Sequence, residues 1–136
     1  MDVISLAREL GREIQKDERY LAFQAAKKNS DDDKELQSKI ADFNLKRIAV
    51  SREGEKADRD EKRMEELNEE LRASYNSVMQ HPSMMAYNSA RDEMDRMLQR
   101  ISSIVNISAE GGDPETADYH PQASCGGSCA GCAGCR

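Results

Sequence analysis

A stripe of apolar residues at heptad spacing between Ser30 and Gln80 constrains the fold of this chain more than any other feature. Alternating steps of four and three residues from Leu36 pass through apolar side chains, with polar gaps at Arg47, Gly54, Glu61 and Asn68. The stripe comprises Leu36, Ile40, Phe43, Val50, Ala57, Met64, Leu71, Tyr75 and Val78. This spacing predicts helix. Since charged and polar residues fill the other positions, the stripe needs a partner to be buried.

The same stretch carries signals for where a helix begins and bends. Ser30 followed by Asp33 resembles a capping box, which predicts a helix start at Ser30. A single helix over residues 30–80 would be a rod of about 75 Å. Gly54 is the predicted place for a bend, because a glycine inside a helix costs about 1 kcal/mol relative to alanine.

Three further helices are predicted around this stretch, over residues 2–16, 17–28 and 83–108. The pair His81-Pro82 predicts a stop and a restart, since the residue before proline avoids the α region and proline suits the first helical turn. The last helix has its own stripe, of Met84, Tyr87, Met94, Leu98, Ile101 and Val105. It is about half as long as the rod, so the first two helices or a second subunit must cover the remainder. The chain is therefore predicted to be all-α, a hairpin or bundle of long helices.

The supply of apolar residues is small. Leu, Ile, Val and Phe number 21 of 136 residues, about 15%, where a compact domain usually has at least about 20%. A monomer would have a thin core, so we expect self-association through the two stripes. The predicted interface residues are Leu36, Ile40, Phe43, Val50, Met64, Leu71, Met94, Leu98 and Ile101.

Charge and motifs exclude several function classes. The formal charge is −6 and there is no block of Lys or Arg, which argues against direct binding of nucleic acid. No apolar run reaches membrane-spanning length, and the acids in the first apolar segment argue against a signal peptide or membrane insertion, so we expect a cytoplasmic protein. No catalytic pattern is present, which favours a non-enzymatic role. His81 is interpreted as a turn residue, and His120 lies near the cysteines without a motif.

Composition changes sharply after Ser108. Residues 109–136 contain six of the eight glycines, all four cysteines and one basic residue, Arg136. We therefore predict two parts, a helical domain over residues 1–108 and a flexible, metal-binding tail over residues 109–136.

The cysteines of the tail form the pattern C-x3-C-x2-C-x2-C, with Cys125, Cys129, Cys132 and Cys135. Packing cannot explain four cysteines among glycines, and disulfides are disfavoured in the cytoplasm. Four thiolates would suit zinc, but such zinc sites usually use two C-x2-C pairs about fifteen residues apart. The single tight run is closer to an iron-sulfur pattern. An iron-sulfur cluster is the favoured prediction, with zinc as the alternative.

Three segments together resemble the YlbF/YmcA family of small helical bacterial regulators: residues 17–44, residues 81–105 and the Cys-rich end. The resemblance implies an all-α fold whose long helices pair into an intertwined dimer. It also implies assembly with family members and a YaaT-type protein into a complex that carries iron-sulfur clusters and that influences ribonuclease Y. Messenger RNA processing, competence, sporulation and biofilm formation would be affected. The family's cluster ligands would correspond to Cys125, Cys129, Cys132 and Cys135.

Overall fold

The computed structural model describes residues 1–121 and shows five α-helices in that range, with no strand among them. They are α1 (Val3–Ile14), α2 (Glu18–Asp32), α3 (Lys34–Gly54), α4 (Glu61–Met79) and α5 (Pro82–Ala109). The predicted all-α class is confirmed. Residues 1–94 form one compact unit and a second unit begins at Asp95, so α5 contributes to both.

Aspartate begins each of the first four helices. Asp2, Asp17, Asp33 and Asp60 have extended backbones, and each carboxylate accepts a hydrogen bond from a backbone N–H of the first turn. These bonds satisfy donors that have no partner within the helix, and the negative charge suits the positive end of the helix dipole. Helix α5 instead begins at Pro82, the residue that needs no N–H partner there.

The predicted helix start at Ser30 is wrong. Helix α2 continues to Asp32, and Asp33 alone separates it from α3. The Asp33 carboxylate accepts the Leu36 N–H at 3.1 Å, so it outcompetes Ser30 as the cap. Ser30 lies buried in the last turn of α2, where its hydroxyl donates to the Ser83 carbonyl oxygen at 3.2 Å.

The predicted rod folds back on itself. Helix α3 ends at Gly54, as the bend prediction anticipated, and α4 begins only at Glu61. Two hydrogen bonds then tie the helices together along their length: the Lys39 ammonium donates to the Ser77 hydroxyl, and the Ser74 hydroxyl donates to the Asp42 carboxylate. From the first pair to the second, the residue number rises on α3 and falls on α4, so the two helices are antiparallel. The hairpin therefore forms within the long stretch itself.

The core of the first unit is small. Leu36 is fully buried, and Ala26, Leu67 and Val78 are the other buried apolar residues there. Helices α2 and α5 also pack together, with the rings of Phe23 and Tyr87 5.5 Å apart. The stripe thus packs the two helices of the hairpin against each other, but only a few of its residues are buried.

The second unit contains the end of α5 and the segment that follows it. Gly111 has a φ of 93°, the Gly111 N–H donates to the Ser108 carbonyl, and the Gly112 N–H donates to the Ile107 carbonyl. These are the two bonds of a Schellman motif, which requires a residue that tolerates the left-handed region. The chain then returns along α5, where the Arg100 guanidinium makes two hydrogen bonds of 2.9 and 3.0 Å to the Asp118 carboxylate.

Candidate interaction surfaces

The structure places most of the predicted interface residues at positions that remain partly accessible. Leu36 lies in the core of the subunit itself. Leu98 is 41% exposed. The half-buried members are Ile40, Phe43, Val50, Met64, Leu71, Met94 and Ile101. A second surface can therefore still cover most of this set.

A cleft marks one part of the α3 and α4 stripe. It has a volume of about 470 Å³ and is lined by Phe43, Asn68, Leu71, Arg72 and Tyr75. The rings of Phe43 and Tyr75 lie 6.0 Å apart, and Tyr75 is 49% exposed. An aromatic pair beside an exposed cation is typical of protein interaction surfaces, where such side chains form anchors.

A polar cluster joins the open end of the α3 and α4 hairpin to the neighbouring helices. The Ser83 hydroxyl donates to the Asp33 carboxylate at 2.6 Å. The Nδ1 atom of His81 accepts the Ser83 N–H at 3.2 Å, and its Nε2 lies 3.8 Å from the Asp33 carboxylate and 3.7 Å from that of Glu35. His81 is therefore a turn residue, as predicted, and the cluster fixes the start of α5 against the start of α3.

The pKa of the Asp33 carboxyl is held below its ordinary value of 3.8, first by the Ser83 hydroxyl and then by the Leu36 N–H. A carboxyl with a lowered folded-state pKa stabilises the fold above its unfolded-state pKa, and this stability is lost as the pH falls through the folded-state value. We expect Asp33→Asn to lower the melting temperature at pH 7. The difference from the parent protein should shrink below about pH 4.

Thermal melts between pH 2.5 and pH 7, followed by circular dichroism, measure this dependence. Asp31→Asn is the matched control, because Asp31 lies exposed in the same acidic run and caps no helix. A difference between Asp33→Asn and the parent that stays constant over the whole range would contradict the assignment.

Sequence reasoning missed Glu53, a buried carboxylate at the tip of the hairpin. It accepts the Asp60 N–H at 3.1 Å and forms an ion pair with Lys56 at 2.8 Å. The pKa of Glu53 is lowered by the Lys56 ammonium first and by the Asp60 N–H second. The only signal in the sequence is the acid immediately before Gly54 with a cation three residues later, a pattern shared with many exposed pairs.

Shallow clefts also line the second unit. One, of about 400 Å³, is lined by Asp95, Leu98, Gln99, Ser102, Ser103 and Tyr119. Another, of about 470 Å³, is lined by Ser103, Ile107, Asp118, Tyr119 and His120. The pKa of Asp118 is lowered, first by the Arg100 guanidinium and then by the Tyr119 N–H. His120 lines this second cleft together with Asp118, and it precedes Cys125 by five residues in the sequence.

The predicted metal ligands Cys125, Cys129, Cys132 and Cys135 lie outside the described residues. Within residues 1–121, no group of three or more His, Cys, Asp or Glu side chains is arranged to hold a metal ion. The cluster prediction and its zinc alternative therefore stay predictions.

Comparison with protein families matches residues 3–108 to the family described as control of competence regulator ComK, YlbF/YmcA. The chain belongs to the YlbF/YmcA family. Comparisons with curated proteins and with solved structures gave no match.

Membership confirms the resemblance seen in the sequence and makes this YlbF/YmcA protein a regulatory one, as the family's description states. The matched range contains all five helices up to the last turn of α5. A regulatory role is compatible with a helical protein whose apolar stripes are only partly covered. No helix within residues 1–121 is both long and apolar enough to cross a membrane.

Proposed function

We propose that this YlbF/YmcA protein is a non-enzymatic cytoplasmic adaptor that works as a dimer or higher oligomer. One observation carries the proposal: within residues 1–121 only five apolar residues are buried, while many large ones remain exposed. Val105 is 58% exposed, Met85 57% and Tyr75 49%. Because burying apolar area contributes about 25 cal/mol per Å², covering such surface with a partner is favourable.

Self-association through the stripe is the first step of this proposal. We expect Leu71→Asp and Phe43→Asp to weaken the oligomer strongly, since each places a charge in the cleft beside Tyr75. Sedimentation equilibrium over a range of micromolar concentrations measures the change. Leu45→Asp is the matched control, because Leu45 lies on α3 outside the stripe and is well exposed. A monomeric parent protein would refute self-association.

The cysteine tail supplies the second part of the proposal, and its support is the C-x3-C-x2-C-x2-C run together with family membership. The four thiolates would hold an iron-sulfur cluster, of the 4Fe-4S type. The helical body would assemble with other YlbF/YmcA proteins and a YaaT-type protein, and this complex would modulate ribonuclease Y and so messenger RNA processing, competence, sporulation and biofilm formation.

Anaerobic purification with iron, sulfide and zinc analysis tests the nature of the metal. A brown protein with matched iron and sulfide supports the cluster. A colourless protein with stoichiometric zinc would favour the alternative, a metal-handling protein whose helices serve to dimerise it. Capture of ribonuclease Y or a YaaT-type protein by the full chain, and its loss in Leu71→Asp, would support the adaptor role.

A further inference from the structure

Helix α1 has an apolar face that its own subunit leaves uncovered. None of its residues is buried. The apolar side chains Val3, Leu6, Leu10 and Ile14 recur every three or four residues, and Val3 is 78% exposed and Leu6 54%. Such spacing places them on one side of the helix. An amphipathic helix in this condition needs a complementary apolar surface.

A groove of suitable shape lies between α2 and the first part of α5. Its volume is about 650 Å³. Each wall contributes small residues at the same helical spacing, Ala22, Ala25 and Ala26 from α2 and Ala86, Ser89 and Ala90 from α5. Side chains of this size leave room for the large side chains of another helix to approach closely.

The ends of the groove are polar. Glu18 and Arg19 line one end together with Glu93, and Asn29 lines the other. From Glu18 to Asn29 the groove follows α2 for about 16 Å, and the apolar face of α1 from Val3 to Ile14 also extends about 16 Å. The alternating charges on the flanks of α1, such as Arg8 and Glu9, would meet a rim that also carries both signs.

A hydrogen-bonded turn connects α1 to α2, and no residue of α1 lines the groove of its own chain. The Lys16 N–H donates to the Glu13 carbonyl and the Asp17 N–H to the Ile14 carbonyl, each at 3.1 Å. Asp17 also caps α2 through the Arg19 N–H and pairs with the Arg19 side chain.

We propose that α1 of one copy lies in the groove between α2 and α5 of a second copy. In a twofold symmetric dimer the exchange is reciprocal, so both helices and both grooves are covered at once. The inference rests on the proposed self-association and adds to it a contact separate from the cleft around Tyr75.

A single tryptophan on α1 reports this contact, because the chain contains no Trp. We expect the emission of Leu10→Trp, diluted to a concentration at which it is monomeric, to shift to shorter wavelength when an excess of unlabelled parent chain is added. An excess of Ala25→Arg should give no shift, because the arginine fills the groove of the acceptor. Ala41→Arg is the matched control acceptor, since Ala41 is an exposed alanine on α3 outside the groove, and it should act like the parent.

Equal shifts with the Ala25→Arg and parent acceptors would overturn the proposal. A short-wavelength emission that is already present in the dilute chain and does not respond to the acceptor would also overturn it, because α1 would then lie in its own groove. Sedimentation of the same samples separates this failure from that of the proposed function. A dimer that forms without the emission shift leaves self-association intact and removes only the role of α1.

Discussion

Leu36→Ala is expected to lower the free energy of unfolding by about 3 kcal/mol, the size typical of a leucine truncated in a core that cannot collapse around it. Leu36 has an exposed fraction of 0% and is the largest fully buried side chain within residues 1–121. It lies in the first turn of α3, where Asp33 caps the helix through the Leu36 N–H. The loss of packing therefore acts next to the junction of α2 and α3.

Urea unfolding followed by circular dichroism measures this effect. Leu45→Ala is the matched control, a leucine in the same helix that is 67% exposed, and it should change the free energy by no more than about 0.5 kcal/mol. Both proteins should be compared at one concentration, because dimerisation adds to apparent stability. Equal effects of the two substitutions would show that Leu36 is not in a packed core.

Removing residues 122–136 is expected to abolish metal binding completely and to leave the melting temperature of the helical body nearly unchanged. All four cysteines lie in this segment. Truncation after Pro121 keeps the two hydrogen bonds between Arg100 and Asp118 and the Schellman motif at Gly111. The described helices therefore retain their contacts.

Metal and sulfide analysis of anaerobically purified protein, together with thermal melts, tests this division of labour. Single Cys→Ser variants should release most of the metal if all four thiolates close one site, whereas a site with three cysteines and one other ligand should tolerate one substitution. Ser124→Ala and Ser128→Ala are matched controls within the same run. Unfolding of the truncated chain would show that the tail is structural, and full metal content in all four serine variants would show that the cysteines are incidental.

Local signals in the sequence were sufficient to predict the helical class, the break at His81-Pro82 and Gly54 as the place of a bend, because each depends on local backbone chemistry. The structure ends α3 at Gly54. Predicted bounds of residues 83–108 for the last helix agree with Pro82–Ala109 to within one residue. The family was also predicted from sequence alone and is confirmed.

The features that sequence reasoning missed depend on contacts between residues that are distant along the chain or that compete for one role. Four consecutive residues, Ser30 to Asp33, can each act as a helix cap, and the Ser83 hydroxyl 50 residues away favours Asp33. Heptad spacing also cannot tell a rod that pairs with another subunit from two helices that pair with each other. Whether the chain folds back depends on the connection between α3 and α4 at residues 55–60, which is closed by the hydrogen bond from the Asp60 N–H to the Glu53 carboxylate.

The α3 and α4 hairpin has a consequence for the order of folding. Glu53 and Asp60 meet across only seven residues, so the entropic cost of closing this loop is low, and the remaining hairpin contacts can form successively from that turn. Ser30 and Ser83, by contrast, are 53 residues apart. A completed hairpin brings Asp33 and Ser83 together at its open end. Once the hairpin has formed, only a short length of chain has to be ordered to bring α2 and α5 together. We therefore expect α2 and α5 to pack after the hairpin, faster than they would without it.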